Sequence, residues 1–197
     1  MDTLREQYHN IVMTSMEMLI NFLEARDPYT IGHSKRVAVI ASKLYEYKFG
    51  LTEKYLDLQW AAKLHDIGKI SIPDHIIGKP GKLTPEEYAA VKQHSSIAAD
   101  IMRPLDPGAR ITPIIRYHHE RFDGKGYPEG LAGSDIPVGS RVIAVADTYD
   151  AMRSSRPYRA AMSFDQCIEE IRLNSGKQFD PEWVEAFLDL ARTGSID

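Results

Sequence analysis

The feature that most constrains the fold of this chain is a set of histidines that stand beside apolar residues at helical spacing. His33, His65 and His94 each join or end an apolar helical pattern, and the pair His118-His119 ends another. A single histidine of this kind is usually a hydrogen-bonded core residue, but burying five titratable groups without partners would cost several kcal/mol each. The chain is therefore expected to bring these side chains together, where bound cations would offset that cost.

Two carboxylates accompany the histidines in similarly apolar surroundings. Asp66 follows His65 directly, and Asp147 lies inside the apolar segment 138–152. No cysteine neighbours these positions, so the ligands would be nitrogen and oxygen atoms, which suit iron or manganese better than structural zinc. Seven ligands are too many for one catalytic ion with an open position, whereas two ions that share Asp66 would use them all. The predicted ligand set is His33, His65, Asp66, His94, His118, His119 and Asp147.

The segments that carry these residues have the signatures of helices. Asp27-Pro28 and Thr84-Pro85 each place a capping residue before a proline, and Glu87 completes a capping box in the second case. The helix from Thr84 is expected to continue past His94. Segment 138–152 is apolar nearly all round without a breaker, which favours a central buried helix over a strand. We predict an all-α fold, a helical bundle with the metal site in its core.

An extra helix is predicted at the N-terminus, over residues 1–26, ahead of a catalytic domain over residues 27–197. Its apolar stripe alternates spacings of four and three, as in helices that pack along a partner helix. Two interpretations remain open: an amphipathic helix lying on its own domain, or a helix that forms a homodimer or transmits a signal. The stripe consists of Leu4, Tyr8, Ile11, Ser15, Met18, Phe22 and Ala25.

Charge and composition narrow the possible partners and location. The net charge of −4 leaves no basic field of the kind that holds nucleic-acid polymers, although a local phosphate pocket is compatible with it. The single Cys167 cannot form an intrachain disulfide and suits a reducing compartment. The longest apolar run, Val142 to Ala146, is too short to span a bilayer. We therefore expect a cytoplasmic protein without a membrane span.

Taken in order, these motifs resemble the HD-GYP family of bacterial phosphodiesterases that open cyclic di-GMP. The resemblance includes His65-Asp66-Ile67-Gly68-Lys69 and the signature Gly126-Tyr127-Pro128. It implies an HD-type bundle, and it places the family's metal ligands on the same seven residues. The matching stretches are 27–34, 65–69, 79–83, His94, 118–128, 147–152, 156–159 and 179–181.

The resemblance also implies roles around the metals. Asp66 and Lys69 would be the catalytic residues, with Lys69 on the phosphate side. The implied substrate-binding set is Lys69, Arg156, Arg159, Gly126, Tyr127 and Pro128. Some members hold a third metal with a glutamate four residues before the first histidine ligand. Here that residue is Tyr29, which favours two metals and linear pGpG over complete hydrolysis to GMP.

The implied activity is hydrolysis of a 3′-5′ phosphodiester in cyclic di-GMP. One alternative is an HD phosphohydrolase that acts on another cyclic dinucleotide or nucleotide. A second is a non-catalytic nucleotide sensor or interaction module, which would be expected to have lost ligands that this chain retains. An upstream regulatory domain, or a partner protein at the Gly126-Tyr127-Pro128 loop, is a further expectation from the resemblance.

Overall fold

The computed structural model describes residues 2–26, 31–155 and 160–196 as helices joined by loops and turns. Within these ranges the only β-structure is a pair of isolated bridges, so the predicted all-α class is confirmed. Short 3-10 helices lie at Ile67–Ser71, Arg103–Leu105 and Gly133–Asp135. The α-helices are α1 Asp2–Arg26, α2 His33–Phe49, α3 Glu53–Leu64, α4 Asp74–Ile77, α5 Pro85–Lys92, α6 His94–Met102, α7 Thr112–Arg116, α8 Val138–Arg153, α9 Phe164–Leu173 and α10 Pro181–Arg192.

The central helix of the bundle is α8, as the apolar character of segment 138–152 predicts. Val142, Ile143 and Ala146 have no exposed surface, and the helix packs against α2, α7, α9 and α10. Full burial of each large aliphatic side chain stabilises the fold by about 1.5–3 kcal/mol. This packing fixes the position of Asp147, which lies within the same helix.

The helix that follows Thr84 begins as predicted but ends sooner. The capping box forms, because Glu87 N donates to the Thr84 hydroxyl at 3.2 Å and Thr84 N donates to the Glu87 carboxylate at 2.7 Å. The expectation of one helix running past His94 is wrong, since α5 ends at Lys92 and α6 begins at His94. The His94 side chain donates to the Val91 carbonyl and so competes with helical hydrogen bonding at this point.

Helix α1 presents two apolar faces. Ile20 and Leu23 are buried against the rest of the chain, whereas those side chains of the four-three stripe that the structure describes are exposed. The exposed fractions are 58% for Leu4, 61% for Ile11, 66% for Met18 and 61% for Phe22. The face of α1 that packs on the chain is thus different from the stripe.

Across the described ranges, no helix has the length and apolar character needed to cross a membrane.

Some predictions fall on positions outside the described residues. These are the helix start at Asp27-Pro28, the departure at Tyr29, and the basic pair Arg156 and Arg159. Helix α2 itself begins at His33, directly after Gly32.

Candidate metal centre

The fold brings all seven predicted ligands to one place. His33 is the first residue of α2, His65-Asp66 follows the last residue of α3, and His94 is the first residue of α6. The pair His118-His119 lies in the turn after α7, and Asp147 lies within α8. Four of the five histidines and Asp66 are buried. The site is thus assembled from helix ends around one central helix.

The ligand atoms form two groups that meet at Asp66. One group is His33, His65 and Asp66, and the other is His94, His118 and His119, with the ligand atoms of each group within 4.8 Å of one another. Asp66 Oδ2 lies 3.5 Å from His65 Nε2 and 3.8 Å from His33 Nε2. Asp66 Oδ1 lies 3.5 Å from His94 Nε2. One carboxylate therefore faces both groups, as a ligand shared by two ions requires.

The imidazole Nε2 of His65 supplies an independent test of whether a metal fits. This atom is buried and has no hydrogen-bond partner within the described part of the chain. An unsatisfied buried nitrogen is costly, and a divalent cation would satisfy it. The donor set of imidazoles and carboxylates is also one that iron and manganese accept. The residues present fit a metal centre.

Three of the histidines are oriented by the same local device. In each, Nδ1–H donates to the main-chain carbonyl three residues earlier, which leaves Nε2 free to face the centre. The pairs are His65 with Ala62 at 2.7 Å, His94 with Val91 at 2.7 Å and His118 with Ile115 at 2.6 Å.

His33 is oriented differently, by a side chain that the sequence analysis missed. Its Nδ1 lies 2.7 Å from Asp150 Oδ2, and its Nε2 lies 3.2 Å from Asp147 Oδ1. Arg36 holds the Asp150 carboxylate with hydrogen bonds of 2.6 and 3.0 Å. Burial lowers the pKa of His33, but the hydrogen bonds to Asp147 and Asp150 outweigh it and raise the pKa to about 9. Asp150 follows Asp147 by three positions on one helix, a spacing that places both carboxylates on one face but does not identify His33 as the partner.

For Asp66, His118 and His119 the surroundings favour the protonation states that can bind a metal. Burial alone would raise the pKa of Asp66, but attraction to Lys69 and then to His65 holds it well below its usual value. Burial lowers the pKa of His118 well below its usual value and that of His119 to about 3. An ionised carboxylate and neutral imidazoles are the forms that coordinate metals.

Lys69 lies in the 3-10 helix Ile67–Ser71, with its Nζ 2.6 Å from Asp66 Oδ2. Gly68 allows this turn to pass close to α6, because a Cβ there would lie 1.9 Å from the His94 carbonyl oxygen and 2.6 Å from Ala98 N. The glycine is therefore required by a close backbone approach. Lys69 reaches the metal centre from a turn and not from a continuation of α3.

A cleft of about 370 Å³ opens onto the centre. Besides the metal-ligand candidates, its polar lining comprises Lys69, Tyr127, Thr148 and Gln178. Gln178 Nε2 donates to Thr148 Oγ1 at 3.3 Å, so these two neutral side chains form one part of the wall. Neither was singled out from the sequence. A cleft of this volume is in the range of small-ligand sites.

A larger groove of about 880 Å³ lies elsewhere, lined by Tyr45, Phe49 and Val138 among others. It shares no lining residue with the cleft, and none of the candidate metal ligands reaches it. Size alone would favour this groove, but the clustered ligands and shifted pKa values identify the smaller cleft as the candidate site.

The three residues of the Gly126-Tyr127-Pro128 signature have different positions. The Tyr127 ring lies 4.9 Å from the His119 ring and lines the cleft. Gly126 packs against the main chain beside the candidate metal ligands, where a Cβ would lie 2.3 Å from Arg121 N. Pro128 follows through a cis peptide bond. Of the three, Tyr127 is the residue positioned to meet a ligand in the cleft.

Glu120, also missed from the sequence, holds the following loop in place. Its buried carboxylate accepts hydrogen bonds from Glu129 N at 2.8 Å and Gly130 N at 2.9 Å. The loop is thereby tied to the residue next to His119. This contact could not be read from periodicity because it joins two irregular segments.

Comparisons with known proteins found a matching family model and similar chains. The family model described as "HD domain" matches residues 17–183. A cyclic di-GMP phosphodiesterase of Thermotoga maritima is 42% identical over 189 residues, which are 94% of this chain and 51% of that protein. A 3′3′-cGAMP-specific phosphodiesterase 2 of Vibrio cholerae is 39% identical over 184 residues, which are 89% of this chain and 35% of that protein.

The fold also has solved counterparts. The crystal structure of a cyclic GMP-AMP-specific phosphodiesterase from Vibrio cholerae superposes with a TM-score of 0.70 at 22% identity, covering 93% of this chain and 49% of that one. At that identity the likeness concerns the fold alone. The chain spans about half the length, or less, of these relatives.

Proposed function

The chain belongs to the HD domain family, and from this membership and the site geometry we propose that it is a metal-dependent phosphodiesterase that hydrolyses cyclic di-GMP. The observation that carries the proposal is the position of Asp66, whose two oxygens face two separate groups of imidazole ligands. The relative from Thermotoga maritima, named a cyclic di-GMP phosphodiesterase, supports the substrate class.

The residues divide the chemical work between them. Bound divalent ions would supply Lewis acidity and lower the pKa of a water molecule, which are the needs of phosphodiester hydrolysis. Asp66 would hold both ions, and the imidazoles would complete their coordination. Lys69 would place its ammonium group beside the phosphoryl oxygens and stabilise the negative charge that grows on them in the transition state. Tyr127 offers an aromatic face to a base in the cleft.

Two ions per chain, iron or manganese, form part of this proposal. The two ligand groups and the nitrogen and oxygen donor set support it. Purification under anaerobic conditions with either metal supplied, followed by metal counting, tests it. A reproducible count of one or three would contradict the two-metal form.

The proposed product is linear pGpG. The phosphate contacts assigned to Arg156 and Arg159 remain predictions from the resemblance, since both lie outside the described residues.

A second candidate substrate is 3′3′-cGAMP, which the name of a Vibrio cholerae relative at 39% identity favours. Comparing kcat/KM for the two cyclic dinucleotides, with product chromatography, distinguishes the candidates.

Substitution of the shared carboxylate tests the enzymatic proposal. Asp66→Ala should lower hydrolysis at least about a thousandfold, because both ions depend on one group. Helical circular dichroism should change little, since the core around the site is mostly apolar. Asp100→Ala, which removes an exposed carboxylate paired with Arg103, is the matched control. Activity above a tenth of wild type in Asp66→Ala would refute the metal mechanism.

The outward stripe of α1 supports a homodimer as the partner of this helix. Leu4, Ile11, Met18 and Phe22 lie along one exposed face, distinct from the face that packs on the chain. Between residues 7 and 25 the heptad positions on and beside the stripe carry no charged residue, so a second copy could pack symmetrically without like charges meeting. The HD domain match begins at residue 17, within α1.

Light scattering tests the dimer. Ile11→Glu should lower the measured mass from that of a dimer to that of a monomer, because it places charge in the apolar seam. Leu56→Glu changes a side chain that is similarly exposed, at 58%, but lies on α3, and it should leave the mass unchanged. A cytoplasmic location and a regulatory partner at the Gly126-Tyr127-Pro128 loop remain proposals from the sequence.

A further inference from the structure

The end of α1 contacts the main chain on either side of His33 through a carboxylate. Glu24 is 7% exposed. Its Oε2 accepts a hydrogen bond from Gly32 N at 2.6 Å, and its Oε1 accepts one from Ser34 N at 3.1 Å. Gly32 has no side chain with which to cap α2, and among the described residues Glu24 is the acceptor for these N–H groups. Glu24 thereby fixes the main chain on both sides of the ligand His33.

The same helix end contacts the turn that carries Lys69. Arg26 donates to the Ile70 carbonyl at 3.1 Å and to the Ile72 carbonyl at 3.0 Å, and it also binds the Asp74 carboxylate. These carbonyls follow Lys69 by one and three positions, the first within the 3-10 helix and the second just beyond it. The planar guanidinium spans these acceptors, which a lysine ammonium would not do in the same geometry.

Two side chains on one helix therefore hold the two segments that bring His33 and Lys69 to the cleft. Ile20 and Leu23 pack α1 against the core, so the position of this helix end is defined. We propose that Glu24 and Arg26 are positioning residues, Glu24 for the metal ligand His33 and Arg26 for Lys69. The inference rests on the proposed function, because it gives these two targets their roles.

The two residues should affect different quantities. Loss of Glu24 loosens a metal ligand, and supporting groups of this kind typically change metal affinity by about tenfold to a hundredfold. Loss of Arg26 loosens a residue that binds no metal, so the turnover number should fall while metal affinity is kept. A merely structural role for either residue would lower thermal stability and leave both quantities unchanged.

The experiment measures Mn²⁺ affinity by competition with a chromophoric chelator, and kcat and KM with cyclic di-GMP. Glu24→Ala should weaken Mn²⁺ binding about tenfold, with Glu24→Gln intermediate because one amide oxygen can still accept. Arg26→Ala should lower kcat about tenfold or more, with Mn²⁺ affinity within about twofold of wild type. If Glu24→Ala fails to fold, Glu24→Gln carries the test.

Matched controls separate positioning from stability. Glu87→Ala removes a carboxylate that caps the start of α5 in the same manner, and Arg110→Ala removes an arginine bound to Asp57. Both should leave Mn²⁺ affinity and kcat unchanged. Normal Mn²⁺ affinity in Glu24→Ala and normal kcat in Arg26→Ala would overturn the inference and leave the proposed function standing. A wild-type chain that binds Mn²⁺ but hydrolyses no cyclic dinucleotide would refute the proposed function, and the Mn²⁺ measurements would still decide the role of Glu24.

Discussion

Asp150 lies 2.7 Å from Nδ1 of His33 and takes the place that a main-chain carbonyl has for His65, His94 and His118. His33 is the first residue of α2 and directly follows Gly32, which has a left-handed backbone conformation. Arg36, three positions later, fixes the carboxylate. The imidazole is thereby held with its Nε2 toward the centre, by a contact between two distant parts of the chain.

Asp150→Ala should reduce the bound metal from about two ions per chain to about one, because it releases one ligand of the His33 group while the His94 group is untouched. Asp150→Asn retains an acceptor oxygen and should recover part of the loss. Metal counting by mass spectrometry measures both. The control is Asp180→Asn, which alters another buried carboxylate, bound by Arg141, without touching a histidine. Two ions per chain in Asp150→Ala would contradict the assigned role.

Lys69→Ala should lower kcat by roughly a hundredfold or more, since a point charge near the phosphoryl oxygens matters most when negative charge accumulates there. Metal content should be unchanged and KM should change far less. Measuring kcat, KM and bound metal on one preparation checks this. Near-normal turnover with full metal would show that Lys69 serves only as the ion-pair partner of Asp66.

Gly68→Ala should destabilise the protein by about 1–3 kcal/mol or more, because its Cβ would overlap main-chain atoms of α6 and force the turn away. Gly108→Ala is the comparison, since a Cβ there meets nothing closer than a side-chain atom of Arg110 at 3.6 Å. Its effect should stay within about 1 kcal/mol. Urea unfolding of the two variants provides the test, and equal losses would refute the close-approach explanation.

The metal-free protein should lose stability toward acid. Burial lowers the pKa of His94, His118 and His119 in the folded chain, to about 3 for His119, whereas each titrates near 6.5 when unfolded. Below about pH 6.5 the unfolded chain therefore binds more protons, and the free energy of unfolding falls as the pH falls.

His33, with its pKa raised to about 9, has the opposite effect, and its contribution to the free energy of unfolding is lost as the pH rises through that value. Urea unfolding in the presence of a chelator, from about pH 5 to about pH 9, should show a decline on both sides of neutrality. A flat profile between about pH 7 and about pH 5 would contradict it.

The sequence by itself determined the all-α class and the identity of the groups that meet. The apolar periodicity of 138–152 and the capping box at Thr84 depend on neighbouring residues, and both are found where they were predicted. The histidines were recognisable because unpaired titratable groups on apolar faces need a common partner. These signals are local, so they survive without knowledge of the fold.

The tertiary structure alone decided which groups hold the site in place. Asp150 contacts His33 across 117 positions in the sequence, and Gln178 contacts Thr148 across 30. Glu24 contacts the start of α2 across 8 and 10 positions. The break between α5 and α6 at Gln93 likewise occurs where the His94 side chain bonds to the Val91 carbonyl and faces the metal centre. A carboxylate or an amide is common on any helix, and its role is set by the segment that packing places opposite it. Local spacing cannot encode that choice, because it results from burying all the apolar faces at once.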